Sequence, residues 1–266
     1  LIARMFWQGT PKNPEPKTTI YEPLNAKRLR NPRQVLNRRK PLSVLFIVTA
    51  KNRDVTKRPG QLKSIMLITV NRQTRRATMT SLPVSHVVRL PDYGHHSSAA
   101  LGDITRFDGS REIVNAVQDD LKVPVDYYLM VTPSTVDKAV KQVNGVAVTP
   151  RATFTSHHVH FIRNRARQLD AKDVRAFTAR LRDDPQGVGG SEYRQRMVLT
   201  SMLQHADTYR KLVNRPFIAK ISNRAVTNAH FSEILSISDY YRGASQHMDS
   251  NSLNAGTPDD RQRVSN

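Results

Sequence analysis

The chain contains no cysteine. That excludes a thiolate nucleophile and a thiolate zinc centre. It also leaves no disulfide framework, a state compatible with an oxidising compartment outside the cytoplasm. Aromatic residues make up 6% of the 266 residues and hydrophobic residues only 38%. Mean hydropathy is −0.54, so part of the chain is expected to be exposed. No apolar run approaches the roughly 20 residues that cross a bilayer. The stretch Leu1-Ile2-Ala3-Arg4-Met5-Phe6-Trp7 is apolar but short; it reads as the outer end of a membrane helix or as a frayed terminus. Negative charge is scarce too: 22 acids face 42 Lys and Arg, a net charge of +20. Such a field draws in polyanions, whether nucleic acid, an anionic lipid surface or a phosphate-rich polymer. No Gly-x-Ser-x-Gly elbow, Walker loop or dinucleotide fingerprint is present.

What the chain does have is centred on Val123-Pro124-Val125-Asp126-Tyr127-Tyr128-Leu129-Met130-Val131. A short apolar run rich in valine and aromatics reads as a buried strand. A helical run over 112–121 precedes it. Another follows over 134–143, then a turn at Asn144-Gly145 and a strand over 146–148. Strand, helix and strand in that order predict a covered α/β sheet. Residues 42–48, 65–70 and 77–82 predict three further strands, and 84–90 extends that block. The near-continuous apolar character of 44–48, 65–70 and 125–131 predicts helices on both faces, with a pocket between sheet and helices. Further on, Asp170 caps a helix over 171–181. A breaker-rich loop spans 183–190, and Ser191 caps a long helix over 192–214, ended by Pro216. Residues 225–241 carry one or two helices.

Composition divides the chain into three parts. Residues 1–40 form a proline-rich basic arm or linker that includes Lys27, Arg28, Arg30, Arg33, Arg38, Arg39 and Lys40. Such an arm beside a membrane would bind anionic head groups. Residues 41–245 form the domain. Residues 246–266, dominated by Ser, Asn, Asp and Gly, form a tail expected to be disordered.

Two groups of residues invite a functional reading. His86 and the cluster His157, His158 and His160 are candidate metal ligands. His158 and His160 stand at the i, i+2 spacing of one strand face, but no carboxylate is near in sequence, and an exposed strand end is the plainer reading. Gly187-Val188-Gly189-Gly190 before a helix offers free N–H groups and a helix dipole to a phosphate. Arg194 and Arg196 follow in the first turns of that helix, and Arg180 and Arg182 lie just upstream. With Lys63 these make five cations able to converge on one phosphate-sized site. A solvated basic helix face explains the same spacing.

The order of these pieces resembles the LytR-CpsA-Psr family of cell-envelope proteins over about 41–243. Four stretches carry the resemblance. The first is Ser64-Ile65-Met66-Leu67-Ile68-Thr69-Val70-Asn71 with Ala77-Thr78-Met79-Thr80-Ser81-Leu82-Pro83. The second is the run from Val123 to Val131, continuing to Val143-Asn144-Gly145-Val146. The third is Arg182-Asp183-Asp184-Pro185-Gln186-Gly187 with Arg194-Gln195-Arg196. The last is Tyr241-Arg242-Gly243-Ala244. The resemblance implies a three-layer α/β/α sandwich with a central mixed sheet. It also implies a single-pass membrane protein, its anchor missing from this chain, with the domain outside the cell. Family members move a glycopolymer from a polyprenyl-pyrophosphate carrier to peptidoglycan. Arginines grip the pyrophosphate and carboxylates hold magnesium.

The chain departs from that pattern. The family's first-strand Asp falls on Ala50, its Arg-Ser-Asp element on Gln61-Leu62-Lys63, and its Arg-Asp after Leu-Pro on Val84-Ser85. The helix Arg falls on Ala179, and the loop Asp and Arg on Val188 and Ser191. Arg194 and Gln195 keep their places. The resemblance therefore implies a scaffold that binds a polyprenyl-phosphate lipid or an anionic cell-wall glycopolymer through Lys63, Arg182, Arg194, Gln195 and Arg196. At Lys63 an ammonium would replace the metal's charge. An active transferase with relocated groups is the alternative, needing magnesium, with Asp54, Asp183 and Asp184 as replacement carboxylates. A nucleic-acid-binding domain is the third reading; few aromatics and no reader motif count against it.

Overall fold

The centre of the molecule is β1 (Leu42–Thr49), in a six-stranded sheet of order β11-β6-β1-β2-β3-β12. The computed structural model describes residues 20–253 apart from 53, 56–58, 95–96 and 206–207. After α1 (Pro32–Asn37) and β1 come β2 (Leu62–Asn71) and β3 (Arg76–Ser81). A small ribbon of β4 (Val87–Arg89) and β5 (Ser98–Ala100) leads into α2 (Thr105–Leu121). Then follow β6 (Tyr127–Val131), α3 (Pro133–Gln142) and β7 (Val146–Val148). The hairpin β8 (Phe154–Ser156) and β9 (Val159–Phe161) precedes β10 (Arg167–Leu169) and α4 (Ala171–Phe177). The chain continues through α5 (Gly190–Gln204), α6 (Thr208–Leu212), α7 (Arg215–Ile221), β11 (Ala225–Thr227), α8 (Phe231–Tyr241) and β12 (Met248–Ser252).

The sheet is mixed. β1 is antiparallel to β2 and parallel to β6. β6 is antiparallel to β11, β2 to β3, and β3 is parallel to β12. Side chains alternate between the faces of a strand. Leu45 and Ile47 pack with Ile65, Leu67, Tyr128 and Met130 against Ile113, Val114 and Val117 of α2. The alternate residues Phe46 and Val48 turn to the other face, towards α3, α6, α7 and α8. Met66, Ile68 and Met79 meet α5 through Leu199 and Leu203. Helices thus cover both faces, and the fold is a three-layer α/β/α sandwich with a central mixed sheet.

Several expectations are corrected. β7 does not join the main sheet after α3; it pairs with β10 in a separate ribbon. β4 likewise pairs with β5 instead of extending β3. The helix expected over 192–214 ends at Gln204, where His205 adopts an extended conformation (φ −71°, ψ 121°). Pro216 does not terminate a helix but lies in the first turn of α7, whose cap Asn214 accepts from the Phe217 amide. A proline there gives up only an N–H that would have had no intrahelical partner. Residues 225–227 are a buried strand rather than the start of a helix.

The two expected tails also change. Residues 1–19 and 254–266 lie outside the described residues. From Ile20 on, the basic arm packs: Ile20, Leu24, Ala26, Val35 and Leu36 are buried. Arg30 donates to both oxygens of Asp126, a residue just ahead of β6 that also accepts from the Ser43 amide. A buried carboxylate needs such partners, and this one ties the arm to the first strand. At the other end, residues 248–252 form β12 instead of disordered chain.

The Asn144-Gly145 turn is tightly specified. Both residues have positive φ (65° and 89°), and a Cβ on Gly145 would come within 2.7 Å of the Leu169 carbonyl oxygen. Gly145→Ala is expected to lower the unfolding free energy in urea by about 2 kcal/mol, from αL strain plus the clash. Gly243→Ala, with nothing within 4 Å, is expected to be near neutral in the same measurement.

Candidate functional site

Because Val44, Phe46, Val48, Met66 and Ile68 face helices held off the sheet, the space between them is not filled. A cavity of about 410 Å³ runs there, walled by these residues, by Leu129 and Val131 of β6, and by Val136, Val198, Met202, Leu212, Phe217 and Ile234 of the helices. Its wall is almost wholly apolar. The charged lining consists of Lys63, Asp137 and Arg175, with Ser64, Thr178 and Gln195 also on the wall. A long apolar space with a charged end suits an amphiphile better than a small polar metabolite.

Lys63 stands at the start of β2 with an exposed side chain. Desolvation by the surrounding wall pushes its ammonium below the ordinary lysine range; Asp137 draws it back up and Arg175 pushes it further down. Asp137 on α3 is bonded to Arg175 on α4, bridging the two helices. Gln195 donates to Ser191 Oγ at 3.2 Å, while its Oε1 is buried without a partner among the described residues.

Arg196 points towards the sheet. It is buried and donates to Ser81 Oγ at 2.7 Å, and its Nε is buried without a partner among the described residues. Ser81 pairs across from Met66, close along β2 to Lys63. Burial pushes the Arg196 guanidinium below its ordinary range, against the pull of Glu192 and Tyr193. A buried arginine with no carboxylate partner, as here among the described residues, is costly and suited to an arriving anion.

The five cations do not converge. Arg194 is 1% exposed and all five of its N–H donors are engaged. Nε meets the Phe177 carbonyl (2.6 Å), Nη1 meets Asp184 Oδ1 (2.9 Å) and Gln186 Oε1 (3.0 Å), and Nη2 meets the Ala179 carbonyl (2.8 Å) and Asp184 Oδ2 (2.7 Å). Arg194 therefore offers no donor to the cavity, and Asp184 is occupied as well. Arg180 pairs with Glu192 at 3.1 Å, and Arg182 is exposed. Arg196 is not on the cavity wall and is held against Ser81 instead. Lys63 and Gln195 are on the wall, joined by Arg175, which sequence reasoning missed with Asp137. Both sit on amphipathic helices where charge is ordinary, and nothing in their spacing marks them.

Ala50 lies beside Gln61, its amide donating to the Gln61 carbonyl at 2.7 Å. These two line a second cleft with Lys51, Gly60, Thr105 and Arg106. The position that the resemblance assigns to a carboxylate is therefore a methyl at this cleft. His157 and His158 form the turn of the β8–β9 hairpin, both with positive φ, and no group of three metal-ligating side chains occurs among the described residues. No described helix is long and apolar enough to cross a membrane.

Sheet, helical cover and charged-ended apolar cavity together define an α/β/α domain built around an internal amphiphile-sized space. The chain belongs to the LytR_cpsA_psr family, whose model matches residues 12–264. It is 25% identical over 236 residues to the polyisoprenyl-teichoic acid–peptidoglycan teichoic acid transferase TagU of Bacillus subtilis, covering 88% of this chain and 75% of that protein. It is 25% identical over 232 residues to biofilm regulatory protein A of Streptococcus mutans, covering 78% and 56% of the two chains. Among solved structures, B. subtilis TagV superposes with a TM-score of 0.67 at 22% identity, covering 83% of this chain and 89% of that one. TagT bound to LIIa-WTA superposes with a TM-score of 0.64 at 18% identity, covering 87% and 86%. These superpositions show the shared fold.

The Arg194–Asp184 pair generates a stability prediction. Burial raises the Asp184 carboxyl, but the Arg194 hydrogen bonds and the Gln186 amide outweigh it, leaving a net shift below the ordinary Asp range. A depressed carboxylate stabilises fully above its unfolded pKa, and the contribution is lost as pH falls through the lower, folded value. Asp184→Asn is expected to cost about 3 kcal/mol at neutral pH and to flatten the acid limb of stability against pH, measured by urea unfolding.

Proposed function

We propose that this chain is a cell-envelope protein that holds a phosphorylated polyprenyl lipid or its linked glycopolymer, and that it binds without transferring. The prenyl chain occupies the cavity beneath Phe46, Met66 and Leu129. The phosphate meets Lys63, Arg175 and Gln195. Arg182, exposed at the rim loop, adds long-range attraction. The observation that carries this reading is an almost wholly apolar wall whose charged residues, among those described, are Lys63 and the Arg175–Asp137 pair. The name of the TagU relative, which places a polyisoprenyl-linked polymer and peptidoglycan in its reaction, supports it. The domain's place would be the outer face of the membrane, with the exposed cations Arg28, Arg38 and Arg39 of the arm near anionic head groups.

Magnesium fits poorly. Lys63 and Ala50 stand where the family's carboxylates would, and Asp137 is bonded to Arg175. Among the described residues, the one carboxylate on the cavity wall is thus engaged by a guanidinium and Lys63 adds a further cation, so no step is derived through a metal. An ammonium and guanidinium pair can hold a phosphate by charge-assisted hydrogen bonds alone.

Titrating a polyprenyl phosphate in detergent tests this. Binding is expected to survive a chelator, and Lys63→Ala is expected to weaken it by roughly 1.5–3 kcal/mol, the worth of a charged hydrogen bond. Binding that requires magnesium, or that ignores Lys63→Ala, would overturn the reading. Magnesium-dependent transfer of polymer to peptidoglycan would make the chain a transferase.

A further inference from the structure

Between Asp137 and Asp170 the chain has no carboxylate side chain, yet it carries Lys138, Lys141, Arg151, Arg163, Arg165 and Arg167. The fold gathers part of this stretch on one small ribbon. β8 and β9 pair through Phe154↔Phe161 and Ser156↔Val159. Their apolar side is fixed: Phe154 and Phe161 stack at 4.9 Å, and Phe161 lies 5.1 Å from Phe177 of α4. The strands' flanks are joined as well, by Asn164 N to the Pro150 carbonyl at 2.8 Å and by Arg163 N to Thr153 Oγ1 at 3.0 Å. Arg151, Arg163 and Arg165 therefore sit on backbone flanks that these bonds bring together, all exposed, and none pairs with a carboxylate among the described residues. Arg167 differs: it is tied to Asp173 at 2.9 Å.

One ring links the ribbon to the buried Arg196. The Arg151 guanidinium lies 5.4 Å from the Tyr193 centroid, and that of Arg196 lies 5.8 Å from the same centroid. Cations thus continue from Arg196 across Tyr193 to Arg151 and on to Arg163 and Arg165. We propose that this ribbon is a second site, a track for the backbone of a phosphodiester polymer, with the three arginines reading successive phosphates. Repeated phosphates match repeated guanidinium forks, which bind them bidentately. A membrane surface fits less well. The hairpin tip is His157-His158, Ile162 is the ribbon's one large exposed hydrophobic side chain among the described residues, and surface-seated segments bury a broad apolar face.

The inference rests on the reading above only for the polymer's identity. Its test uses lipid-free poly(glycerol phosphate) labelled for fluorescence anisotropy. The triple variant Arg151→Ser, Arg163→Ser, Arg165→Ser is expected to bind at least about tenfold more weakly at low salt. Its plot of log affinity against log salt should flatten by about two to three, as fewer counterions are released. The corresponding triple lysine variant is expected to keep most of the affinity, and both should retain polyprenyl-phosphate binding and the thermal midpoint. Polymer affinity unchanged in the serine triple overturns the track. So does a matching loss of polyprenyl-phosphate binding, or a loss confined to phosphatidylglycerol vesicles. If polyprenyl phosphate fails to bind the native chain while the polymer result holds, the cavity reading falls and the track stands.

Discussion

A single buried arginine sets the geometry of the cavity end. Arg194 bonds to backbone carbonyls at the end of α4 and to two side chains of the loop before α5. That loop is rich in glycine and would otherwise be free to sample many conformations. Closing it around a guanidinium fixes where α5 begins, and with it the directions of Gln195 and Arg196 on the next two positions. The wall beside Asp184 is close enough that a Cβ on Gly190 would fall 2.4 Å from its Oδ1. An ion pair this deep contributes little net energy over an apolar substitute, but losing one partner strands the other. Its role is therefore positional: it makes a site out of neighbours that carry no such constraint themselves.

The cavity follows from the same economy. Alternation in β1 sends Leu45 and Ile47 into a fully packed layer with α2, while Phe46 and Val48 remain half-buried on the other face. Packed interiors normally leave no such gap, because unfilled space forfeits dispersion contacts. On this face α3 and α4 are tied to each other by the Asp137–Arg175 pair. Lys63, on the same wall, has its ammonium pushed below the ordinary lysine range by desolvation, with Asp137 partly opposing. Electrostatic strain and missing packing thus lie in the same place.

Much of the sheet was legible because its inner strands are written in hydrophobicity. β1, β2, β3 and β6 all fall on the apolar runs that predicted them. The edges were not. β11 is three residues long, too short to show a period, and β12 is Met-Asp-Ser-Asn-Ser, held by backbone pairing and by contacts such as Thr80 to Asn251. No propensity argument finds a strand whose stabilisation lies almost wholly in its partner. The candidate site was half legible. Cations around the glycine loop were visible, but spacing does not distinguish a guanidinium facing a cavity from one folded into a cage by Asp184 and Gln186. Distance along the chain also hid the arm's attachment, since Arg30 meets Asp126 across 96 residues.

The parallel pairing of β12 with β3 has a consequence for the order of assembly. β3 is complete by Ser81, but its outer edge receives a partner only when Met248 to Ser252 arrive. A pairing between segments so far apart in sequence is slow to form. Until then β3 presents a row of unpaired amides and carbonyls, the kind of edge along which chains aggregate. The short polar C-terminal strand thus acts as a late seal. A molecule stopped before it would hold most of its core and still carry an open edge.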